Sequence, residues 1–539
     1  MGFVPWELIG GENDGRGVEN CGIILPMKKC TLCKDEFKIF DSDKDFYKKM
    51  DVPEPQHCPS CRMAHLMAWR NERKLYHRKC DVTGKKIVSM FSKESPAKVC
   101  EKNHWFSPEF DPLEYGCDFD FTKSFFENFR DLLYSIPLPS LRVEHSENCE
   151  YNSDMSDSKN CYLCSRTHKS SDMLYTYRGN KSSACVDCLQ VVENCEFLYE
   201  CVECVTCYDS QFLEYCERCS QSAFLSNCRG CTNCMLSTNL DKKEFYFLNK
   251  QLSREEYKEK LKAFDLGDRT TRKQAIDAFE KLKKENPSTK SDIIKSEDCT
   301  GKGIVNSKNC HECYEVREAV DCRYLFNIMK YSDGMDCYSG GRDSELIYNA
   351  TSTSASYNSK FCVRVTYSRD VDYSMFSRSC ENLLGCIGVQ NKKFCIFNKQ
   401  YSQEEYEVLK EKILDHMKKS GEWGEFFPIE MSLFAYNETI AQEYFPITKE
   451  FAQKFGWRWM EEDPKEFKKQ EFVVPQKVSE VDESILKEIL ACEKCGRNYK
   501  VTDYELSFYQ KHAIPVPGQC PECRHARRFA LKKTLPYHT

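Results

Sequence analysis

The chain has 539 residues, a formal net charge of −6 and a sequence pI near 6.1. That length exceeds one compact core and fits several domains; the acidic balance argues against a bulk electrostatic binder of nucleic acid, while leaving room for local basic patches. No run of about 18 apolar residues is present to span a membrane, and MGFVPWELIGGENDGRG lacks the basic and apolar regions of a signal peptide.

The 35 cysteines need an explanation. In a small secreted chain they would mean disulfides. Here the chain is long, the total is odd and many cysteines fall in C-x-x-C pairs, so reduced thiols partly on zinc, in a cytoplasmic setting, are the expectation.

Residues 1–29 read as an N-terminal arm. Residues 30–68 follow as a zinc ribbon: Cys30 and Cys33, then an interval of 24 residues, then Cys58 and Cys61. A C-x-x-C turn offers two sulfurs to one metal and a second pair completes a tetrahedron, with Zn–S near 2.3 Å. The interval is expected to hold a small β-rich excursion tied at its base by the metal, because so short a piece buries little apolar surface. A basic stretch with aromatics comes next: Arg62, Trp69, Arg70, Arg73, Lys74, Arg78 and Lys79. Positive charge beside aromatic faces is what phosphate contact and base stacking need, and it equally suits a solvated helical face.

Residues 69–121 form a second Cys/His module. His77-x2-Cys80 and Cys100-x3-His104 flank a plausible hairpin turning at Thr83-Gly84-Lys85, which makes a third zinc site possible beside the two ribbons. Residues 122–144 carry a docking helix with Phe125, Phe126, Phe129, Leu132 and Leu133 as its apolar face.

The middle of the chain is duplicated at an offset of 149. SKNCYLC at 158–164 returns as SKNCHEC at 307–313, and EFYFLNKQLSREEYKEKL at 244–261 returns as KFCIFNKQYSQEEYEVLK at 393–410. Two cysteine-rich units, 145–285 and 295–420, therefore share one fold. In each, N-C or D-C elements recur every 9 to 12 residues amid Ser, Asn, Asp and Tyr, which suggests short strands in a small β-solenoid, or else a stacked β-meander. Each closes with an α-helix, announced by the capping boxes Ser253-x-x-Glu256 and Ser402-x-x-Glu405. The second copy has Ala350, Thr353, Ser356, Ser377 and Leu383 where the first has Cys201, Cys204, Cys207, Cys228 and Cys234. Such replacements favour buried compact hydrophobes over thiolate ligands at most of these positions.

Residues 421–460 are aromatic-rich, a core or docking surface, and 461–485 read as an exposed charged linker. Residues 486–539 repeat the ribbon, with Cys492, Cys495, Cys520 and Cys523 aligned without gaps at an offset of 462. Its basic tail holds Arg524, Arg527, Arg528, Lys532 and Lys533. The whole is a multidomain, β-rich chain in which terminal zinc ribbons flank two repeat units.

The texts CPSCR, WRNERKLYHRKCDVTGKKIVSMFS, NHWFSPEFDPLEYGCDFDF and IFNKQYSQEEY resemble a family of uncharacterised cysteine-rich, zinc-ribbon-containing proteins of candidate-phyla bacteria and giant viruses. The likeness covers nearly the whole chain and implies zinc without implying an activity.

No HExxH, GxSxG or phosphate-binding Gly-rich loop is present, so an enzyme is not expected; a treble-clef nuclease around His77, Asp81 and His104 is the form one would take. Two functions compete. One is a non-enzymatic scaffold, a rigid repeat body whose metal-braced ends dock protein partners, in a virion or virus factory if the source is viral. The other is an RNA- or ribosome-associated protein using the ribbons and their basic tails. Neither predicts a membrane or a small-molecule substrate.

Overall fold

A computed structural model describes residues 27–189, 197–202, 204, 206–288, 293–332, 334–338, 343–352, 354–461 and 467–532. It is a multi-sheet, mixed α/β structure with a cysteine tetrad near each end. The chain divides into two units: residues 1–140 with 291–461 and 534–539, and residues 141–290 with 462–533. Each unit thus joins one ribbon to one repeat copy, and the pairing is crossed. The N-terminal ribbon packs with the second copy, the C-terminal ribbon with the first.

The repeat copies are built from short strands that pair in parallel at a spacing of twelve residues. In the first copy Cys161 aligns with Met173 and Met173 with Cys185. In the second, Ser359 aligns with Val371, Val371 with Leu383 and Leu383 with Cys395. Both copies insert one extra residue at the same place, Val186 pairing with Tyr199 and Met335 with Tyr348. Among the described strands of the copies, antiparallel pairing is found in the closing hairpins, Tyr246 with Gln251 and Cys395 with Gln400.

Inside the twelve-residue spacing runs a period of three. From Asp154 every third residue, Asp157, Asn160, Leu163, Arg166, Lys169 and on to Asp187, has φ between 49° and 65°. The residue after each is buried: Met155, Ser158, Cys161, Cys164, Thr167, Ser170 and on to Cys188. The second copy repeats this over Asn358 to Asn382, followed by buried Ser359, Cys362, Val365, Ser368, Val371, Ser374, Ser377, Cys380 and Leu383. Left-handed backbone costs an L-residue free energy, least for Asn and Asp. That cost is met here by parallel ladders and by side-chain hydrogen bonds between levels. Asn160 Nδ2 donates to Asp172 Oδ1 at 2.9 Å and Asn358 Nδ2 to Asp370 Oδ1 at 2.7 Å. Buried serines do the same: Ser158 Oγ accepts from Ser170 N at 3.2 Å, and Ser356 Oγ from Ser368 N at 3.3 Å.

The period explains the recurrent N-C and D-C dipeptides, in which the first residue tolerates the left-handed turn and the second is buried. It also explains most C-x-x-C spacings in the middle of the chain, since cysteines three apart occupy successive buried positions. Such positions take Ser, Thr, Val or Cys most often, compact side chains, with Met and Leu at others such as Met155, Met173 and Leu383.

Both closing helices start at the expected caps: Ser253 before Arg254–Lys262 and Ser402 before Gln403–Ser420 each accept from the amide three residues on. The helix Phe125–Ser135 buries Phe125, Phe129, Leu132 and Leu133 in the same unit as the second copy, with its first amides held by the Glu422 carboxylate at 2.9 Å. The aromatic stretch buries Trp423, Phe426, Phe427, Phe434, Tyr436, Tyr444 and Trp457. Most of residues 467–485 are exposed, as their charge suggested, but the segment is pinned at three points. Val478, Val481 and Ile485 are buried against Leu174, Val186, Phe508 and Tyr509, because apolar residues spaced through the charged text need only short 3-10 turns to reach a core.

Asn358→Val places a β-branched residue at φ 46° and removes the bond to Asp370. It should destabilise by about 1–3 kcal/mol, whereas Asn358→Gly should cost about 1 kcal/mol or less. Urea midpoints of the two variants would check this order.

Candidate metal centres and their docking contacts

Each ribbon begins with a two-stranded hairpin, Met27–Lys29 with Glu36–Lys38 and Leu490–Ala491 with Asn498–Tyr499. The tight turn between the strands holds the first cysteine pair, with Lys34 and Gly496 both at φ 72°. A helix follows, Asp41–Lys49 or Asp503–Lys511, so the interval is largely helical rather than β-rich. Its capping boxes, Asp43 on Phe40 N and Thr502 with Glu505, start those helices where strand was expected. The second pair opens another helix, with Cys58 and Cys520 as N-caps and proline at the first helical position.

The four sulfurs of Cys30, Cys33, Cys58 and Cys61 lie within 4.8 Å of one another, as do those of Cys492, Cys495, Cys520 and Cys523. Among the described residues these are the two groups of three or more metal-capable side chains so gathered. Cys33 Sγ stands 3.6 Å from Cys58 Sγ and Cys495 Sγ 3.8 Å from Cys520 Sγ. A tetrahedral zinc with Zn–S of about 2.3 Å wants sulfurs about 3.8 Å apart. Backbone amides favour thiolate: Cys58 N donates to Cys30 Sγ at 3.3 Å. Burial raises the Cys492 thiol, but amides of Cys520 and Cys495 outweigh it and bring it down to about 6. Both tetrads therefore fit a zinc ion.

The expected third site does not assemble. His77 is exposed on the strand Tyr76–Lys79, and His104 Nδ1 lies 3.2 Å from Glu109, so neither joins Cys80 and Cys100. Cys80 nonetheless sits in the ribbons' own turn. Cys30 N, Cys80 N and Cys492 N donate to Asp35 O, Lys85 O and Arg497 O at 2.8, 2.8 and 3.0 Å, and Gly84 repeats the φ of 72°. Thr83 stands where the ribbons have Cys33 and Cys495, and the turn's ligand set is halved. Cys80 Sγ instead accepts amides of Thr83 and Glu101, each at 3.2 Å, while burial and neighbouring Cys80 push the Cys100 thiol up to about 12.

The basic side chains after each tetrad point into their own unit. Arg62 Nε donates to Asp336 Oδ2 at 2.7 Å, and Arg524 Nε lies 2.8 Å from Asp187 Oδ2. These residues correspond under both internal repeats, 62 to 524 and 336 to 187, so one contact is made twice. Its surroundings correspond too. Arg62 and Arg524 donate to the carbonyls of His57 and Gln519. Their guanidinium carbons stand 5.3 and 4.9 Å from the rings of Tyr324 and Tyr175. Tyr324 and Tyr175 donate to Asp43 Oδ2 and Glu505 Oε2 at 3.5 and 2.8 Å. All four charged partners are buried; burial is the largest influence and pulls the arginine pKa down, but Asp336 with Tyr47 and Tyr348, and Asp187 with Tyr509 and Glu505, together hold it above the ordinary value.

The copies differ in compensating ways. Arg528 NH1 adds a second cation 2.9 Å from Asp187, and Arg527 pairs with Glu200. At the matching positions the N-terminal ribbon has Leu66 and His65, and its repeat has Asn349, whose Nδ2 reaches Asp336 at 3.4 Å. Conversely Arg323 lies 2.6 Å from Asp43, where the other copy has Leu174.

The remaining residues of the basic set are equally engaged. Trp69 is buried and donates to Phe427 O at 3.1 Å. Arg70 is buried 3.0 Å from Glu72 and 5.5 Å from the ring centre of Tyr338. Arg73 pairs with Glu443 at 3.1 Å, and Arg78 with Asp81 at 2.9 Å. Lys74 is half-buried with its own interactions, and Lys532 is buried. Among the described members of the set Lys79 alone is exposed; Lys533 lies outside the described residues. The set anticipated for nucleic acid is thus spent almost entirely on internal contacts. The sequence signal that could have revealed this was the coincidence of two offsets, an arginine repeated at 462 and an Asp-Cys repeated at 149. No family model, curated protein or solved structure matches the chain.

Arg62→Ala leaves Asp336 buried without its cation and should cost about 3–5 kcal/mol. Arg524→Ala should cost less, because Arg528 remains at Asp187. Denaturant unfolding of the two variants measures the difference, and equal losses would contradict the assigned pairing.

Proposed function

We propose that this is a zinc-binding, non-catalytic scaffold in which each repeat copy is a four-sided β-solenoid, clasped by its own metal-braced ribbon. Twelve residues per level and one buried residue in three support the four-sided reading. The observation that carries the function is the direction of the ribbons' arginines. Arg62, Arg70, Arg524 and Arg528 are buried against carboxylates within their own units and are withdrawn from phosphate. The ribbons then hold the repeats closed, zinc fixes the ribbons, and the exposed repeat surface remains for protein partners. No described helix is long and apolar enough to cross a membrane.

RNA or ribosome binding is the rival reading. It needs several free cations along one face, and a steep fall in affinity with salt would expose it. Incubated with single-stranded RNA at low salt, the purified chain should show no salt-dependent binding. Binding that weakens steeply with salt, and is lost on Lys79→Glu, would replace the scaffold by the rival.

Native mass spectrometry should find one zinc per tetrad. Cys61→Ala and Cys523→Ala should each remove one ion, and stripping both with a strong chelator should open the ribbons to proteolysis between residues 486 and 532. Ribbons that stay protected without metal would separate zinc from the clasp.

A further inference from the structure

The first repeat copy holds a second arrangement of thiols that neither the ribbons nor the packing account for. Cys216, Cys219, Cys228 and Cys231 are each at most 1% exposed. Strands around them pair at the twelve-residue spacing, Leu213 with Leu225 and Ser220 with Thr232, so Cys216 stacks on Cys228 and Cys219 on Cys231. Side-chain interactions link Cys216 to Cys219, Cys219 to Cys231, Cys231 to Cys228 and Cys228 to Cys216, with Cys207 and Cys234 attached at Cys219 and Cys231. Among the described residues outside the two ribbon tetrads, these links close a ring of thiols. Elsewhere the links are open, as in Cys185, Cys188, Cys201 and Cys204, or around Cys310.

Packing does not demand sulfur there. The second copy fills the matching positions with Val365, Ser368 and Ser377, retaining only Cys380, and keeps the same registers and burial. Serine also occupies the same column as Cys219 earlier in the first copy, at Ser158, Ser170 and Ser182. The excess of thiols is therefore a property of this copy rather than of the fold.

From this ring we infer a binding site for copper(I), one ion bridging each edge. Geometry separates it from zinc. No three of the ring sulfurs gather within the 4.8 Å span that the ribbon tetrads meet, so they offer pairs rather than a tetrahedron. A soft monovalent ion content with two thiolates suits the edges instead. Charge points the same way. Four thiols that lose four protons to solvent become four thiolates, and four copper(I) ions make the group neutral. No redox change is involved. A single Zn2+ on the same four thiolates would leave two negative charges in a fully buried site, a heavy desolvation cost.

The test uses the full chain, made in copper-supplemented cells and purified anaerobically, with copper and zinc counted by native mass spectrometry. The triple variant C216V/C219S/C228S carries the second copy's own residues and should fold. It should hold about four fewer copper ions than the parent and lose the luminescence of a copper–thiolate cluster, with its zinc unchanged. The converse variant V365C/S368C/S377C, which builds the ring around resident Cys380, should gain a similar number. Equal copper in parent and triple variant, or zinc in place of copper at the ring, would overturn the inference, as would a converse variant that folds and gains no copper. None of these outcomes bears on the ribbons' role as clasps.

Discussion

Everything in the repeat copies depends on one constraint: every third residue must be buried while the chain keeps its parallel register. Met155, Ser158, Cys161, Cys164 and Thr167 meet it in sequence, and the residue before each turns left-handed to deliver it. The composition follows. Cysteine, serine, threonine, alanine and valine crowd the buried positions, and asparagine and aspartate are drawn to the turns, where their short polar side chains bond to the next level. Larger residues such as Met173, Leu225, Ile328 and Leu383 share these positions, and parallel ladders and the elements packed outside hold the copies together.

What packs against the outside are the ribbons. A ribbon is too small to bury a core of its own, and its tetrad could hold a metal; a repeat copy presents tyrosines and a buried aspartate that need covering. The Arg62–Asp336 and Arg524–Asp187 contacts answer both needs. A buried ion pair gives little net stability against an apolar pair of like size, but it penalises any other partner that leaves the aspartate uncompensated. The copies differ around that fixed point, with Arg528 and Arg527 beside Asp187 and Glu200 in one and Arg323 beside Asp43 in the other.

The tetrads were legible because four cysteines at a fixed interval, repeated at an offset of 462, have few other readings. The duplication at 149 and the capping boxes at Ser253 and Ser402 were legible for the same reason, as text that recurs. The three-residue period was hidden because its left-handed positions include Leu163, Arg166, Lys169 and Tyr175, which no turn rule would choose. The arginines misled for a different reason. Clustered charge near aromatics looks the same whether its carboxylates come from solvent-facing partners or from 274 residues along the chain, as between Arg62 and Asp336. Local text also could not show that Thr83 replaces a ligand in a turn otherwise identical to the ribbons'.

The crossed pairing of ribbons and repeats has a bearing on how the chain is made. Residues 141–290 leave the ribosome early, yet Asp187 meets Arg524 and Arg528 only once nearly the entire chain has been synthesised. Through that interval its carboxylate must stay hydrated, and Leu174, Val186 and Tyr199 stay uncovered. Contacts so distant in sequence form slowly and leave sticky surface waiting. The first copy to be translated is the last to be sealed, and its nascent form is the stage at which holding chaperones would find most to grip.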